Sequence, residues 1–213
     1  MFTRNLAERC REAGVRFMMD TPIEGIQAAG DRIEGISTPQ GLITGDDYVL
    51  SLGSYSPIVA RPLGYSLPIY PVKGYSVTFP IRDGHVPPSM SGVDENNLVA
   101  WARFGNRLRV TATAEFSGYD RTHKPEDFDA MLRVAKQLFP HGADFSEPDY
   151  WAGLRPMTPE NTPIMGKSRH RNLYLNTGHG HMGWTMACGT ASVVADIMAG
   201  RQPAIDITGM TLA

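Results

Sequence analysis

The stretch NTGHGHMGW, at residues 176–184, is the feature that most constrains how this chain can fold. The apolar run 173–175 precedes it, and the largely apolar stretch 183–199 follows it. A short apolar run predicts a buried strand, and a long apolar stretch that begins at a glycine predicts a helix. The pattern therefore predicts a strand, a glycine-rich turn and a helix, with free backbone N–H groups gathered where the helix begins.

The residues of this turn leave three interpretations open. His179 and His181 could bind a metal ion, but no third ligand stands at a recognised spacing, so we expect no metal site. A helix start can bind a phosphate or a negatively charged cofactor oxygen, and glycines let a planar ring approach the backbone. Alternatively, the glycines serve only the packing of the helix start. The turn is not a P-loop, because the Lys and Ser/Thr of that motif do not follow it.

Composition narrows the class of protein. The chain has 213 residues, of which 42% are hydrophobic and 20% are charged, and this predicts a packed globular fold. The net charge of -2 leaves no basic surplus, so we expect no nucleic acid partner. Cys10 and Cys188 lie far apart, which argues against a disulfide framework and favours a reducing compartment. No uninterrupted apolar run reaches about 18 residues, so no transmembrane helix is predicted.

Periodicity divides the chain into parts. The N-terminal part predicts a helix capped by Thr3, a short buried strand at 15–19, a hairpin, and a strand at 48–52. The middle part predicts antiparallel strands and an amphipathic helix that opens at Pro125. The helix that begins at Gly183 is apolar nearly all round, so we expect it to be buried and closely packed.

A second unusual stretch is Gly153-Leu154-Arg155-Pro156. An arginine between a strand and a turn stiffened by proline can hold a carboxylate with two parallel hydrogen bonds. An ion pair with a structural role explains the same residue, and the residues alone favour that interpretation.

Six stretches, taken together and in this order, resemble one family. The resemblance is to the flavin-dependent amine and D-amino acid oxidoreductases, and within them to the C-terminal portion of the FAD subunit of bacterial D-amino acid dehydrogenases. The stretches are YVLSLGSYS (48–56), YPVKGYSVTFPI (70–81), ARFGNRLRVTATAEFSGYD (102–120), LFPHGADF (138–145), WAGLRPMTPENTPIMG (151–166) and NLYLNTGHGHMGWTMACG (172–189).

The resemblance implies an α/β fold, α+β overall. It implies a partial FAD-binding, Rossmann-like domain and an antiparallel-sheet substrate domain with one flanking helix. Residues 1–64 and 153–213 would form the remaining part of the FAD-binding domain, and residues 65–152 would form the substrate-binding cap.

The resemblance also implies a reaction and its partners. Such enzymes bind FAD and transfer a hydride from the α-carbon of a D-amino acid to flavin N5, and the imino acid then hydrolyses to a 2-oxo acid and ammonia. The electrons are expected to pass to a respiratory acceptor. The implied location is cytoplasmic, with peripheral attachment to the inner membrane.

Site residues follow from the matching positions. Arg155 is expected to bind the substrate carboxylate, and His181 is expected to face the substrate. The resemblance implies FAD contacts at Ile23, Ser51, Leu52, Gly53, Lys73, Gly74, Gly178, His179, Gly180, His181, Met182, Gly183 and Trp184.

Two departures from the family pattern change the expectation. Close relatives usually carry a Thr-Leu pair where this chain has His181-Met182, at the wall of the active site, so substrate preference is expected to differ. The family's N-terminal strand and GxGxxG turn, which hold the FAD pyrophosphate, do not occur in the N-terminal part of this sequence, and the GxGxxG spacing at 178–183 belongs to the glycine-rich turn near the other end. We therefore expect a C-terminal fragment that binds FAD weakly, is inactive alone, and associates with itself or with the missing N-terminal half.

Two other functions remain open on the sequence. One is a glycine- or sarcosine-type amine oxidase that passes electrons to oxygen. The other, of a different class, is a non-catalytic interaction module that has lost the cofactor.

Overall fold

The computed structural model describes residues 1–212, in which runs of strands are separated by α-helices. In chain order they are α1 (Phe2–Glu12), β1 (Gly25–Ala29), β2 (Arg32–Thr38), β3 (Gly41–Ile43), β4 (Tyr48–Leu50), α2 (Ser56–Ala60), β5 (Tyr70–Pro80), β6 (Gly92–Asp94), β7 (Val99–Phe104), β8 (Arg107–Glu115), α3 (Asp129–Leu138), β9 (Asp149–Met157), β10 (Ile164–Lys167), β11 (Leu173–Thr177) and α4 (Gly183–Met198).

The strands of residues 1–212 form three sheets. A small antiparallel sheet has the order β1-β2-β3, and a second sheet has the order β10-β11-β4. In the second sheet β11 runs parallel to β4, with Leu175 opposite Leu50. The third sheet is antiparallel, with the order β6-β7-β8-β5-β9, so β5 pairs with β8 on one side and with the edge strand β9 on the other. This mixture confirms the predicted fold class.

Local signals account for most of these elements. The predicted hairpin forms between β1 and β2, and Gly30 takes a φ of 57° in its turn. The amphipathic helix also forms: Pro125 opens a short 3-10 turn, and Asp127 accepts a hydrogen bond of 2.8 Å from the Lys124 N–H. Free N–H groups at a helix start need such acceptors.

The predicted strand at 15–19 is wrong. The segment has no regular secondary structure, and its apolar side chains are exposed, with Met19 at 71%. No strand within residues 1–212 pairs with it, and an apolar run without a backbone partner cannot form part of a sheet. The Thr3 cap is also wrong, because α1 begins at Phe2 and Met1 occupies the cap position.

The prediction that α4 is buried is wrong as well. One face packs on Met165 and Tyr174, but the rest of this apolar helix is largely exposed, with Trp184 at 72%. A helix that is apolar nearly all round normally has neighbours on every side. Within residues 1–212 only one side is covered, and no helix there is long and apolar enough to cross a membrane. The buried residues of α4 are Thr190, Val193 and Val194.

Two apolar cores lie on either side of β9. In the first, Val77 and Phe79 of β5 pack under Phe128 and Met131 at α3. The second core joins Ile33 of the small sheet to the parallel pair β4 and β11. The first core anchors the five-stranded sheet and the second anchors the strand ends that carry the glycine-rich turn.

Asn172 fastens the small sheet to the parallel pair. Its side chain is buried, accepts a hydrogen bond of 2.8 Å from the Ile33 N–H, and donates one of 3.0 Å to the Ile33 carbonyl. It also donates to the Asp46 carbonyl at 3.1 Å. One side chain therefore satisfies three backbone groups, two at Ile33 in β2 and one at Asp46 before β4.

We predict that Asn172→Ala strongly destabilises the fold. The change leaves the buried Ile33 N–H and carbonyl without partners, and each unsatisfied group costs about 1–3 kcal/mol, so the expected loss is roughly 2–4 kcal/mol. Urea unfolding monitored by circular dichroism measures it. Asn106→Ala, at an exposed turn where the side chain makes no hydrogen bond within residues 1–212, is the matched control. Equal losses in the two variants would contradict the assigned role.

Candidate active site

The carboxyl ends of β4 and β11 lie side by side because the two strands are parallel. Ser51, Leu52 and Gly53 follow β4, and Gly178 follows β11. In sheets that contain parallel strands, ligands bind in the crevice outside these strand ends. The parallel pairing thus brings together two of the stretches that the sequence analysis assigned to cofactor binding.

Hydroxyl groups fix the two strand ends to one another. The Ser56 and Thr177 hydroxyls lie 2.7 Å apart, and Thr177 Oγ1 also donates to the Gly53 carbonyl at 3.3 Å. Ser56 Oγ accepts a hydrogen bond of 3.2 Å from the Leu52 N–H. The ends of β4 and β11 therefore form one connected unit.

The glycines of the turn serve both conformation and close packing. Gly178 and Gly180 take φ values of 73° and 56°, which L side chains rarely adopt. A Cβ at Gly178 would lie 2.8 Å from Thr158 Cγ2, and the Gly180 N–H donates to the Pro156 carbonyl at 2.9 Å. The turn is thus seated directly on the end of β9, next to Arg155.

The two histidines of the turn have different surroundings. His179 Nε2 lies 3.1 Å from Thr190 Oγ1 of α4, and partial burial lowers the pKa of His179. His181 is exposed and lines a cavity. The side chains therefore do not converge, and no cluster of three potential metal ligands occurs within residues 1–212.

Arg155 crosses the sheet above a glycine. It stands on β9 opposite Val72 of β5, next to the pair formed by Gly74 and Gly153. A Cβ at Gly74 would overlap the guanidinium, so only glycine lets the side chain pass over β5. The guanidinium then donates a hydrogen bond of 3.0 Å to the Thr113 carbonyl of β8.

Thr113 is the functional residue that the sequence analysis missed. Its φ of 68° is unusual for a residue with a Cβ, and it lies in the stretch where the pairing of β5 with β8 is irregular. This distortion presents the carbonyl that Arg155 binds. A threonine in this conformation has no sequence signature, so only the structure could reveal it.

The structural ion pair that the residues alone favoured for Arg155 is wrong. No carboxylate within residues 1–212 lies within ion-pair distance of its guanidinium. Burial lowers the pKa of Arg155, but an arginine starts so high that it stays charged at neutral pH. A half-buried cation without an anion is a ready site for a carboxylate ligand.

Arg155 and His181 line the same cavity, which has a volume of about 760 Å³. This lies within the range of about 300–1,000 Å³ typical of small-molecule sites. From Arg155 the cavity extends along β8 to α3. Its walls are formed by Val72, Asn97, Leu98, Val99, Ala100, Thr111, Ala112, Thr113, Ala114, Ala130, Met131, Arg133, Val134, Gln137, Arg155, Met157 and His181.

Lys73, expected to contact the cofactor, forms ion pairs with two carboxylates. Only 3% exposed, it lies 3.7 Å from a Glu115 oxygen and 3.9 Å from an Asp120 oxygen. Burial disfavours its charged form, but the hydrogen bond with Tyr75 and the two carboxylates outweigh this and raise the pKa of Lys73. The ammonium therefore stabilises the start of β5 and is not among the groups that line the cavity.

The remaining residues predicted to contact FAD do not line the cavity that contains Arg155 and His181. Ile23 and Leu52 line a small apolar hollow of about 60 Å³, which has room for only about two water molecules. Met182 is exposed, and Gly183 begins α4. Trp184 packs edge-on against Phe2, with ring centroids 5.4 Å apart, and does not line the cavity.

Comparison with known proteins identifies the family to which this chain belongs. The family of FAD-dependent oxidoreductases called DAO matches residues 1–197. D-amino acid dehydrogenase 2 of Mesorhizobium japonicum is 49% identical over 99% of this chain and 51% of its own length. D-amino acid dehydrogenase of Granulibacter bethesdensis is 46% identical over 100% of this chain and 51% of its own length. The chain thus spans about half the length of these relatives.

Solved structures have the same fold. Glycine oxidase from Geobacillus kaustophilus superimposes with a TM-score of 0.86 at 25% identity, over 98% of this chain and 56% of that protein. This chain belongs to the DAO family of FAD-dependent oxidoreductases.

We predict that Gly74→Ala displaces Arg155, because the added methyl group occupies the space of the guanidinium. The Arg155 side-chain Nε–H signal should shift in a heteronuclear NMR spectrum, and the hydrogen bond to Thr113 should be lost.

Gly189→Ala is the matched control for this change. No atom lies within 4 Å of the position of a Cβ at Gly189, and alanine favours helix α4. An unshifted Arg155 signal in Gly74→Ala would show that the guanidinium does not need this glycine.

We predict a pH dependence from His179. Because burial lowers its pKa in the folded chain, the unfolded chain binds the proton more tightly. The resulting stabilisation is complete above the ordinary histidine pKa of about 6.5 and is lost as the pH falls through the folded value. The ring-proton titration of His179 by NMR should have its midpoint below 6.5, and His179→Gln should reduce the slope of the stability curve in this range. The remaining slope is that of His170, whose pKa burial also lowers. A His179 midpoint at or above 6.5 would contradict the prediction.

Proposed function

We propose that this chain forms the substrate side and the flavin-ring side of an enzyme that oxidatively deaminates D-amino acids to 2-oxo acids and ammonia. The observation that carries the proposal is Arg155, a cation without an anion, facing a cavity beside the glycine-rich turn. The names of the relatives that are 45–49% identical, all D-amino acid dehydrogenases, support the substrate class.

We propose a division into two domains, with residues 1–64 and 153–213 on the cofactor side and residues 65–152 as the substrate domain. Two observations support it. The buried residues of the first core all lie between Tyr75 and Ala152, inside the proposed substrate domain. Those of the second lie on the cofactor side, except for Tyr65, Leu67 and Ile69 at the start of the substrate domain. Strand β9 crosses the proposed boundary, so Arg155 is held by the substrate sheet at the point where it meets the cofactor side.

The turn fits the pyrimidine end of a flavin. Gly178 and Gly180 hold the turn compact against the end of β9, and the 16-residue helix α4 starts directly after the turn with free N–H groups. Such a helix start stabilises a negatively charged ring oxygen. When bound, FAD supplies the hydride acceptor for oxidation of the carbon that bears the amino group. Gly178–Trp184 and the strand end Ser51–Gly53 would hold its ring.

In this proposal Arg155 binds the substrate carboxylate. Its hydrogen bond to the Thr113 carbonyl uses one N–H and fixes the guanidinium plane, so the remaining N–H groups are free for a carboxylate. Because the guanidinium is held before the ligand arrives, little side-chain entropy is lost on binding. We propose that His181 forms the neighbouring wall and hydrogen-bonds the bound substrate.

We further propose that a second polypeptide part, present in the relatives beyond the half that this chain spans, completes the cofactor site. The support is the exposed apolar surface on one side of the molecule. No residue of α1 is buried, most of α4 is exposed, and β4 is a sheet edge with Val49 at 44% exposure. Such surfaces are typical of faces that pack against a partner.

The electron acceptor is proposed to be a respiratory carrier. Relatives at 45–49% identity are named dehydrogenases, whereas the name oxidase belongs to a structure at 25% identity. An oxidase would form hydrogen peroxide in step with substrate oxidation.

The test is a flavin titration of the purified chain, alone and co-expressed with the part of the Mesorhizobium relative that it does not span. We predict weak or no FAD binding by the chain alone. The complex should bind FAD, lose its visible absorbance on addition of D-alanine without oxygen, and form little peroxide in air. Tight FAD binding by the chain alone would overturn the need for a second part.

Arg155→Met in that complex should lower kcat/KM for D-alanine about 10- to 100-fold, because a charged hydrogen-bond pair contributes about 1.5–3 kcal/mol. Arg107→Met removes a cation from an exposed position on the same sheet and is the matched control. Equal activity of the two variants would contradict the role of Arg155.

A further inference from the structure

The cavity has a second end that the proposed role of Arg155 does not use. This end is bounded by α3, through Ala130, Arg133, Val134 and Gln137, and by the segment 97–100. All of these walls belong to the substrate sheet and its helix. None comes from the glycine-rich turn or from the ends of β4 and β11.

The two ends lie on different sides of the five-stranded sheet. Tyr75 and Val77 of β5 face the core under α3, while Gly74 faces the guanidinium of Arg155. The cavity reaches both sides because the pairing of β7 with β8 stops at Ala100 opposite Thr111. Beyond that point the edge of β8 is open on this side.

Small side chains keep this passage clear. Ala112 and Ala114 line it together with Thr113, so the β8 wall between Arg155 and the α3 end carries short side chains. The total volume of about 760 Å³ is near the upper part of the range for small-molecule sites. A ligand fixed by its carboxylate at Arg155 therefore has space for a long side chain.

The α3 end has mostly apolar walls, with exposed polar side chains and one positive charge at its rim. Arg133 makes no ion pair and no side-chain hydrogen bond within residues 1–212, and Gln137 and Asn97 line the same end. No aspartate or glutamate lines any part of the cavity. The charged side chains of the lining are both arginines, one at each end.

We propose that the α3 end is a subsite for the side chain of an amino acid substrate that ends in a carboxylate. Arg133 binds the distal carboxylate, and Arg155 binds the one next to the amino group. This inference rests on the proposed function and specifies the substrate class as acidic amino acids with a side chain of several carbons. Gln137 and Asn97 supply additional amide donors to the distal group.

The test compares two ligands of equal chain length with the full chain, D-glutamate and D-norvaline, by NMR titration, which measures dissociation constants into the millimolar range. We expect D-glutamate to bind about tenfold or more tightly than D-norvaline, since a charged hydrogen bond supplies that difference. Arg133→Gln should remove this preference. Lys136→Gln removes the same charge from α3 at a residue outside the cavity lining and should keep it.

A charge reversal tests direct contact. Arg133→Glu should prefer D-ornithine to D-glutamate, whereas Lys136→Glu should not. Equal affinity of the unchanged chain for D-glutamate and D-norvaline would overturn the subsite, as would equal effects of the Arg133 and Lys136 variants.

The two proposals fail in different ways. If Arg155→Lys weakens both ligands while the Arg133 variants change nothing, the subsite is wrong and the carboxylate role of Arg155 stands. If ligand affinity does not depend on Arg155, the carboxylate role of Arg155 and the subsite both fall. If neither ligand binds the chain, the subsite falls, and the proposed function is decided separately by the activity of the complex with the second part.

Discussion

The position of one guanidinium determines how the site is built. Arg155 can lie across β5 only because Gly74 has no side chain, and it stays there because the irregular stretch of β8 turns the Thr113 carbonyl toward it. The same strand that carries Arg155 also accepts, at Pro156, the hydrogen bond that seats the glycine-rich turn. A cation, a glycine and a distorted strand thus set the distance between the anion site and the proposed flavin site. Because the cation has no anion within residues 1–212, this arrangement is available to a ligand.

The residues that hold the strands in place differ from those proposed to bind the substrate. The five-stranded sheet has its own apolar core, the two smaller sheets share a second one, and β9 joins the two regions. The buried Lys73, with Glu115, Asp120 and Tyr75, adds an ionic link between the start of β5 and the loop after β8. Only the lysine is buried, since the Glu115 and Asp120 side chains are 42% and 50% exposed, so removing the carboxylates would leave a buried cation without partners. The ionic link fixes the strand pair over which Arg155 lies.

The exposed apolar surfaces follow from the same architecture. Helix α4 must start at the glycine-rich turn, because that is where β11 ends, and its direction leaves one face on Tyr174 and Met165 and the others uncovered. Helix α1 and the segment 15–19 add apolar side chains that no element within residues 1–212 covers. These faces lie on the side proposed to bind the cofactor, whereas the five-stranded sheet is covered by α3. The substrate end of the site is therefore the part that this chain builds on its own.

Local patterns in the sequence determined the hairpin, the strands that follow or precede glycine, the helix after Pro125 and the strand–turn–helix unit at 173–198. Turn residues and apolar periodicity act over a few residues, so they can be recognised in the sequence without knowledge of tertiary contacts. The family and the importance of Arg155 and the glycine-rich turn could also be predicted from the motifs. Periodicity could not predict which elements are buried. The segment 15–19 and α4 have the apolar composition of buried elements, but most of their side chains have no covering neighbour within residues 1–212. Only the tertiary structure decided that Lys73 is bound to two carboxylates, that Arg155 has none, and that Thr113 and Arg133 share its cavity, because these contacts join residues tens of positions apart.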